Sequence, residues 1–157
     1  MLLTIHNQTR STFLGDRIEV ADTPWSRAKG LLGRRSLDEG GGLLITSCNS
    51  IHMFFMRFAI DVAFIDDDNR VVHAVHSIRP WRATWFYPRA TAALELPAGT
   101  LKRTQTEEGD TLTLEVPDKE SGASAVHEES TTAPKKDDQT AENGRPDSPC
   151  EPGAAGP

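Results

Sequence analysis

Apolar residues come in short bursts along the first 116 positions, and their spacing predicts about seven or eight short strands. Leu2–Ile5 is short and apolar, Ser11–Leu14 is a second β-like run, and Arg17–Ala21 alternates polar with apolar. Together they read as an opening hairpin or meander. Asp22-Thr23-Pro24-Trp25 reads as a helix start: Thr23 is a capping acceptor, and Pro24 sits where a missing N–H costs nothing. The pattern carries that helix to about Leu32, with Gly33 ending it. Trp25, Ala28, Leu31 and Leu32 then share one face, expected to pack on a sheet. Arg34–Gly42 is a loop and Leu43–Ile45 a short buried strand.

Two denser runs follow, Ile51–Phe58 and Ile60–Ile65. Asp66–Asn69 is a polar turn into Val71–Val75, which makes a second hairpin. It lacks the spacing and closing Glu of a calcium loop. Residues 77–90 are irregular. Thr91–Leu96 is a strand closed by Pro97-Ala98-Gly99, Thr100–Glu108 has room for one helical turn, and Leu112, Leu114 and Val116 alternate with polar residues. The fold class is α+β: a mostly antiparallel β-sheet, able to curl into a partly closed barrel, with one or two short helices.

Composition divides the chain near Val116–Pro117. Residues 1–116 carry 13 basic and 14 acidic side chains, and residues 117–157 carry 4 and 9. The second stretch also holds six of the ten prolines and no Leu, Ile, Met or aromatic residue. The expectation is a β-rich globular domain over 1–116 and an acidic Pro/Ser/Thr/Gly-rich tail over 117–157 that cannot bury enough apolar surface to order itself. A nearly neutral domain argues against nucleic acid as a partner. Cys48 and Cys150 do not make a disulfide framework. No apolar run approaches the ~20 residues of a membrane span. The N-terminus lacks the pattern of a secretory signal, so the expected compartment is the cytoplasm.

The most informative stretch is Cys48–Asp66. If residues 50–58 are extended, His52, Phe54, Met56 and Phe58 face one side, and Ile51, Met53, Phe55 and Arg57 the other. Both faces are then mostly apolar, and His52 and Arg57 need partners. Asp61 is the natural partner for Arg57, although about 13 Å of straight strand would separate them and a bend at Ala59-Ile60 is required. Such a pair either braces the corner or clamps an anionic ligand. Cys48, His52 and Met56 recur every fourth residue. In a straight strand they spread over about 26 Å, too far for one ion, so no metal or cofactor is expected. Cys48 as a nucleophile would need His52 within hydrogen-bond reach. His73 and His76 fall on opposite strand faces, and Glu95 points away from the face of Leu94 and Leu96. Arg79, Trp81, Arg82, Trp85 and Tyr87 interleave cations with aromatics on a loop, which is either a binding surface or a cover over the sheet.

The Cys48–Asp66 stretch resembles the signature of the domain of unknown function 192 family of small bacterial and archaeal proteins. Thr23 through Arg27 to Gly30-Leu31-Leu32, Gly42-Leu43-Leu44, Leu94–Gly99 and Gly109-Asp110 resemble further family features in the same order, over roughly residues 10–116. One departure is Ala59, where the family often has proline. The resemblance implies no reaction. The reading that follows is a non-enzymatic binding or accessory domain whose partner is a small molecule, glycan or protein. The candidate corner is Cys48, His52, Met56, Arg57 and Asp61. The alternative is an enzyme using Cys48 and His52, or a bound metal, in the 48–61 segment.

Overall fold

Close backbone approaches and one parallel strand pairing shape the sheet. The computed structural model describes residues 1–117, so the tail expected over 117–157 lies, apart from Pro117, outside the described residues. Strands β1 (Leu2–Asn7) and β2 (Thr12–Ala21) form an antiparallel hairpin. The two runs expected at Ser11–Leu14 and Arg17–Ala21 are one strand. Gly15 joins them, and a Cβ there would stand 2.6 Å from the carbonyl oxygen of Gly40. That oxygen accepts instead from the N–H groups of Asp16 and Arg17.

Helix α1 (Pro24–Lys29) begins as its sequence indicates. The Thr23 hydroxyl accepts from Ser26 N–H at 3.1 Å, and Ser26 Oγ accepts from Thr23 N–H at 3.0 Å. This reciprocal capping satisfies two free donors. The helix ends at Lys29 rather than Leu32, because Gly30 takes φ +48° and turns the chain. Trp25 is consequently 79% exposed and does not pack on the sheet, whereas Leu31, beyond the helix, does.

α1 is the crossover to β3 (Gly41–Thr46), which pairs with β2 in parallel. Strands β4 (Ile60–Ile65), β5 (Val71–Ile78), β6 (Ala92–Pro97) and β7 (Leu112–Glu115) complete a seven-stranded sheet in the order β5-β4-β6-β3-β2-β1-β7. All its other pairings are antiparallel. The two edges meet at one end, where Arg70 bridges Thr111 and Val71 N–H donates to the Asp110 carbonyl at 2.8 Å. The mixed sheet is thus a half-barrel with two short helices.

Each face has its own core. Ile5, Leu14, Ile18, Leu94, Leu96 and Leu101 fill the concave side, with α2 (Thr100–Arg103) as its plug. Ile45, Ile60, Val62, Phe64, Met53 and Met56 pack on the convex side, under segments that cross it. Strand β6 lies between β3 and β4, so both of its edges are paired, and Ala93 on one face and Leu94 and Leu96 on the other belong to the two cores.

The dense run at Ile51–Phe58 is not a strand. Its backbone bonds go to the 79–90 loop: Met53 N–H donates to Arg82 O at 2.7 Å, Trp81 N–H to Met53 O at 2.9 Å, and Thr84 N–H to Ile51 O at 2.9 Å. A turn at Met53–Met56, with Phe55 at φ +64°, breaks the extended path. Ile51, Met53 and Met56 are buried, while His52, Phe54, Phe55 and Arg57 are exposed.

Candidate functional site

Strand β6 reads Ala92-Ala93-Leu94-Glu95-Leu96-Pro97, and its alternation sends Leu94 and Leu96 into the half-barrel. Glu95 faces the other way, as expected, but not into solvent. It lies in register with Leu43 on β3 and Val62 on β4, two residues of the convex core. Glu95 is only 6% exposed, and its Oε2 has no hydrogen-bond partner. Burial pushes its carboxyl up to about 7 from an ordinary value of 4.5, against an opposing pull from Arg34. Arg34 itself is engaged with Glu19 at 2.7 Å.

Above Glu95 is a cleft of about 210 Å³ between β3, α1 and the 47–56 segment. Leu31, Ile45, Ile51, Met53 and Met56 supply its apolar wall. Arg27, Lys29, Ser47, Cys48, Ser50 and His52 supply polar groups. Three of the five corner candidates therefore meet at one cleft: Cys48, His52 and Met56. A bend brings together what a straight strand would separate. The Cys48 thiol donates to the Ser50 carbonyl at 3.2 Å. Burial pushes that thiol up and nearby Glu95 adds to the rise, while the Ser50 contact and Arg27 pull the other way.

The other two corner candidates separate. Arg57 is exposed. Asp61 is fully buried on the concave side, where it takes Ser77 N–H on Oδ1 at 2.8 Å and Leu101 N–H on Oδ2 at 2.8 Å. It caps the first turn of α2 from a distant strand and holds Ser77 at φ +49°. Asp61 is thus a brace, but its partners are backbone amides rather than Arg57. A second brace ties the β1–β2 turn to residues 106–110: Asn7 Nδ2 donates to Asp110 at 2.9 Å, and Arg10 Nε donates to it at 3.1 Å. Burial alone would raise the Asp110 carboxyl, but Glu107 N–H, Asn7 and Arg10 outweigh it and hold the group below its usual range.

The loop candidates form a second feature, beside the cleft. Phe55 and Trp81 stand edge to face with centroids 5.0 Å apart, and are 71% and 60% exposed. Both have left-handed backbone, φ +64° and +65°. For a bulky residue that conformation costs on the order of 1–3 kcal/mol. Trp85 is 83% exposed, and Arg79 and Arg82 are also at the surface. Tyr87 instead packs inward, against Phe64 at 4.7 Å and His73 at 4.5 Å. His73 also pairs with Glu108. The loop is thus partly a cover, through Tyr87, and partly an exposed aromatic surface.

Glu95 and Arg27 were not legible as site residues. The available signal for Glu95 was a lone acid in an apolar strand, which matters only once that strand is known to be central.

The model of the DUF192 family, described as an uncharacterized ACR, matches residues 4–114. A UPF0127 protein of Thermococcus sibiricus is 32% identical over 121 residues, covering 73% of this chain and 77% of that protein. A UPF0127 protein of Pyrococcus abyssi is 35% identical over 114 residues, covering 68% of this chain and 92% of that protein. Among solved structures, a protein of unknown function from Novosphingobium aromaticivorans has a TM-score of 0.62 at 23% identity, covering 71% of this chain and 82% of its own. A protein from Sinorhizobium meliloti described as a putative transcription regulator has a TM-score of 0.58 at 24% identity, covering 71% of this chain and 91% of its own. These two likenesses concern the fold. The chain belongs to the DUF192 family.

Proposed function

We propose that this member of the DUF192 family is a cytoplasmic, non-enzymatic binding domain, carried by residues 1–116, whose small-molecule ligand sits in the cleft over Glu95. The observation that carries the reading is the buried Glu95 carboxyl with a free oxygen at a cleft that has both an apolar wall and a polar rim. Buried polar atoms are ordinarily paired, and one left without a partner beside a cavity is a receptor for a donor from outside. A cavity of 150 Å³ holds benzene, so 210 Å³ suits a ligand of about eight non-hydrogen atoms. Such a ligand has a short apolar body against Leu31, Ile45 and Met53, and a hydroxyl or amine on Glu95. The polar rim of Ser47, Ser50 and His52 would receive any second polar group.

Binding is favoured over thiol chemistry by the state of Cys48. Its thiol is raised, chiefly by burial, the opposite of an activated nucleophile. The exposed loop over 79–85 belongs to the same reading as a second contact surface.

A six-carbon series tests the pocket. Hexylamine and hexanol should raise the unfolding temperature of the protein by several degrees at millimolar concentration, and hexanoate should not. Glu95→Leu should abolish the response. Equal stabilisation by all three, or none by any, would remove the reading.

A further inference from the structure

A separate set of observations concerns the end of the molecule built from residues 52–57 and 79–89. From Cys48 to Ile60 and from Ser77 to Thr91 the chain has four arginines and no acidic residue, although residues 1–116 as a whole are nearly neutral. Arg57, Arg79, Arg82 and Arg89 are all exposed, and none forms an ion pair with another described residue. Among them stand Phe54, Phe55, Trp81, Trp85 and Phe86, all exposed. Phe55 and Trp81 crown their turns in left-handed backbone, where glycine would be unstrained. The rings at these two positions therefore do not serve the turns that carry them.

We propose that this end docks on an anionic lipid surface, the aromatic rings entering the interfacial zone and the arginines meeting lipid phosphates. Indole and phenyl rings partition to the headgroup level, and arginine pairs with phosphate. An acid-free, arginine-flanked patch is complementary to a negatively charged leaflet. Phe55 and Trp81 project from turn tips and meet edge to face. The cleft over Glu95 opens beside this surface, because His52 and Met53 belong to both neighbourhoods.

Vesicle sedimentation with the full chain tests the proposal. Phosphatidylcholine vesicles containing about 30% phosphatidylglycerol should bind it, with a blue shift of indole emission. Pure phosphatidylcholine should bind at least about tenfold less, and raising NaCl from about 0.1 to 0.5 M should weaken binding by a similar factor. The double variant Phe55→Gly/Trp81→Gly should lose binding about tenfold or more while its unfolding temperature stays level or rises, since glycine relieves both left-handed positions. A merely structural role for the two rings predicts a fall in that temperature instead. The proposal is overturned by indifference to lipid charge, by absence of vesicle binding, or by a double variant that binds as well as the parent. Binding to oligothymidylate or polyglutamate without vesicle binding would overturn it too, by assigning the surface to nucleic acid or an acidic protein.

Discussion

Replacing Glu95 by glutamine should change how stability depends on pH, by an amount the structure sets. Below about pH 4.5 the carboxyl is protonated in both folded and unfolded chains, and its burial carries no ionisation cost. Between 4.5 and about 7 the unfolded chain ionises while the folded chain keeps its proton, so stability falls as pH rises. Above 7 both states are ionised and the full cost remains. At about 1.4 kcal/mol per pH unit, the rise from 4.5 to about 7 corresponds to ~3 kcal/mol. Glutamine keeps the shape and cannot ionise. The stability of Glu95→Gln relative to the parent should therefore improve by ~3 kcal/mol between pH 4 and pH 8. Arg27, Lys29, Cys48 and His52 line the same cleft, and Arg34 acts from the edge. They remain in both proteins, so the difference between the two profiles isolates Glu95. Urea unfolding across that range measures it. Parallel profiles would refute the argument that Glu95 is buried without a partner.

Other outcomes follow from the two braces. Asp61→Ala strands the N–H groups of Ser77 and Leu101 and should cost about 2–4 kcal/mol in urea unfolding, with Asp61→Asn losing less because one acceptor oxygen remains. Asp110 is held below its usual range when folded, so its contribution is present above the unfolded value and is lost as pH falls through the folded one. Asp110→Asn should lower stability at neutral pH and flatten the acid limb of the profile. An acid limb as steep as the parent's would show that Asn7 and Arg10 do not stabilise the ionised form.

Local signals predicted most of the sheet. Alternation marked Leu112 and Leu114 in β7, and Thr23-Pro24 marked the start of α1. The end of α1 is ambiguous in the sequence because two glycines, Gly30 and Gly33, are both able to stop it, and only the backbone at Gly30 decides. The exposure of Trp25 has the same cause, since α1 stops three residues short of Leu32. The 50–58 run has the composition of a strand but not the partners of one. Its partners, Arg82 and Thr84, are some 30 residues away in the chain, and no local pattern names them. The turn they impose folds Cys48, His52 and Met56 around one cleft. Glu95 was set on the correct side of its strand, but what covers that side comes from α1 and the 47–56 segment, which are distant in sequence.

The most direct test of the account is the titration of the Glu95 carboxyl carbon followed by NMR, with and without hexylamine. The account predicts a midpoint near 7 in the free protein and a clear fall when the amine is bound, since an ammonium group stabilises the ionised form. A midpoint near 4.5 that the amine leaves in place would mean that Glu95 is solvated and that the cleft is not a binding site.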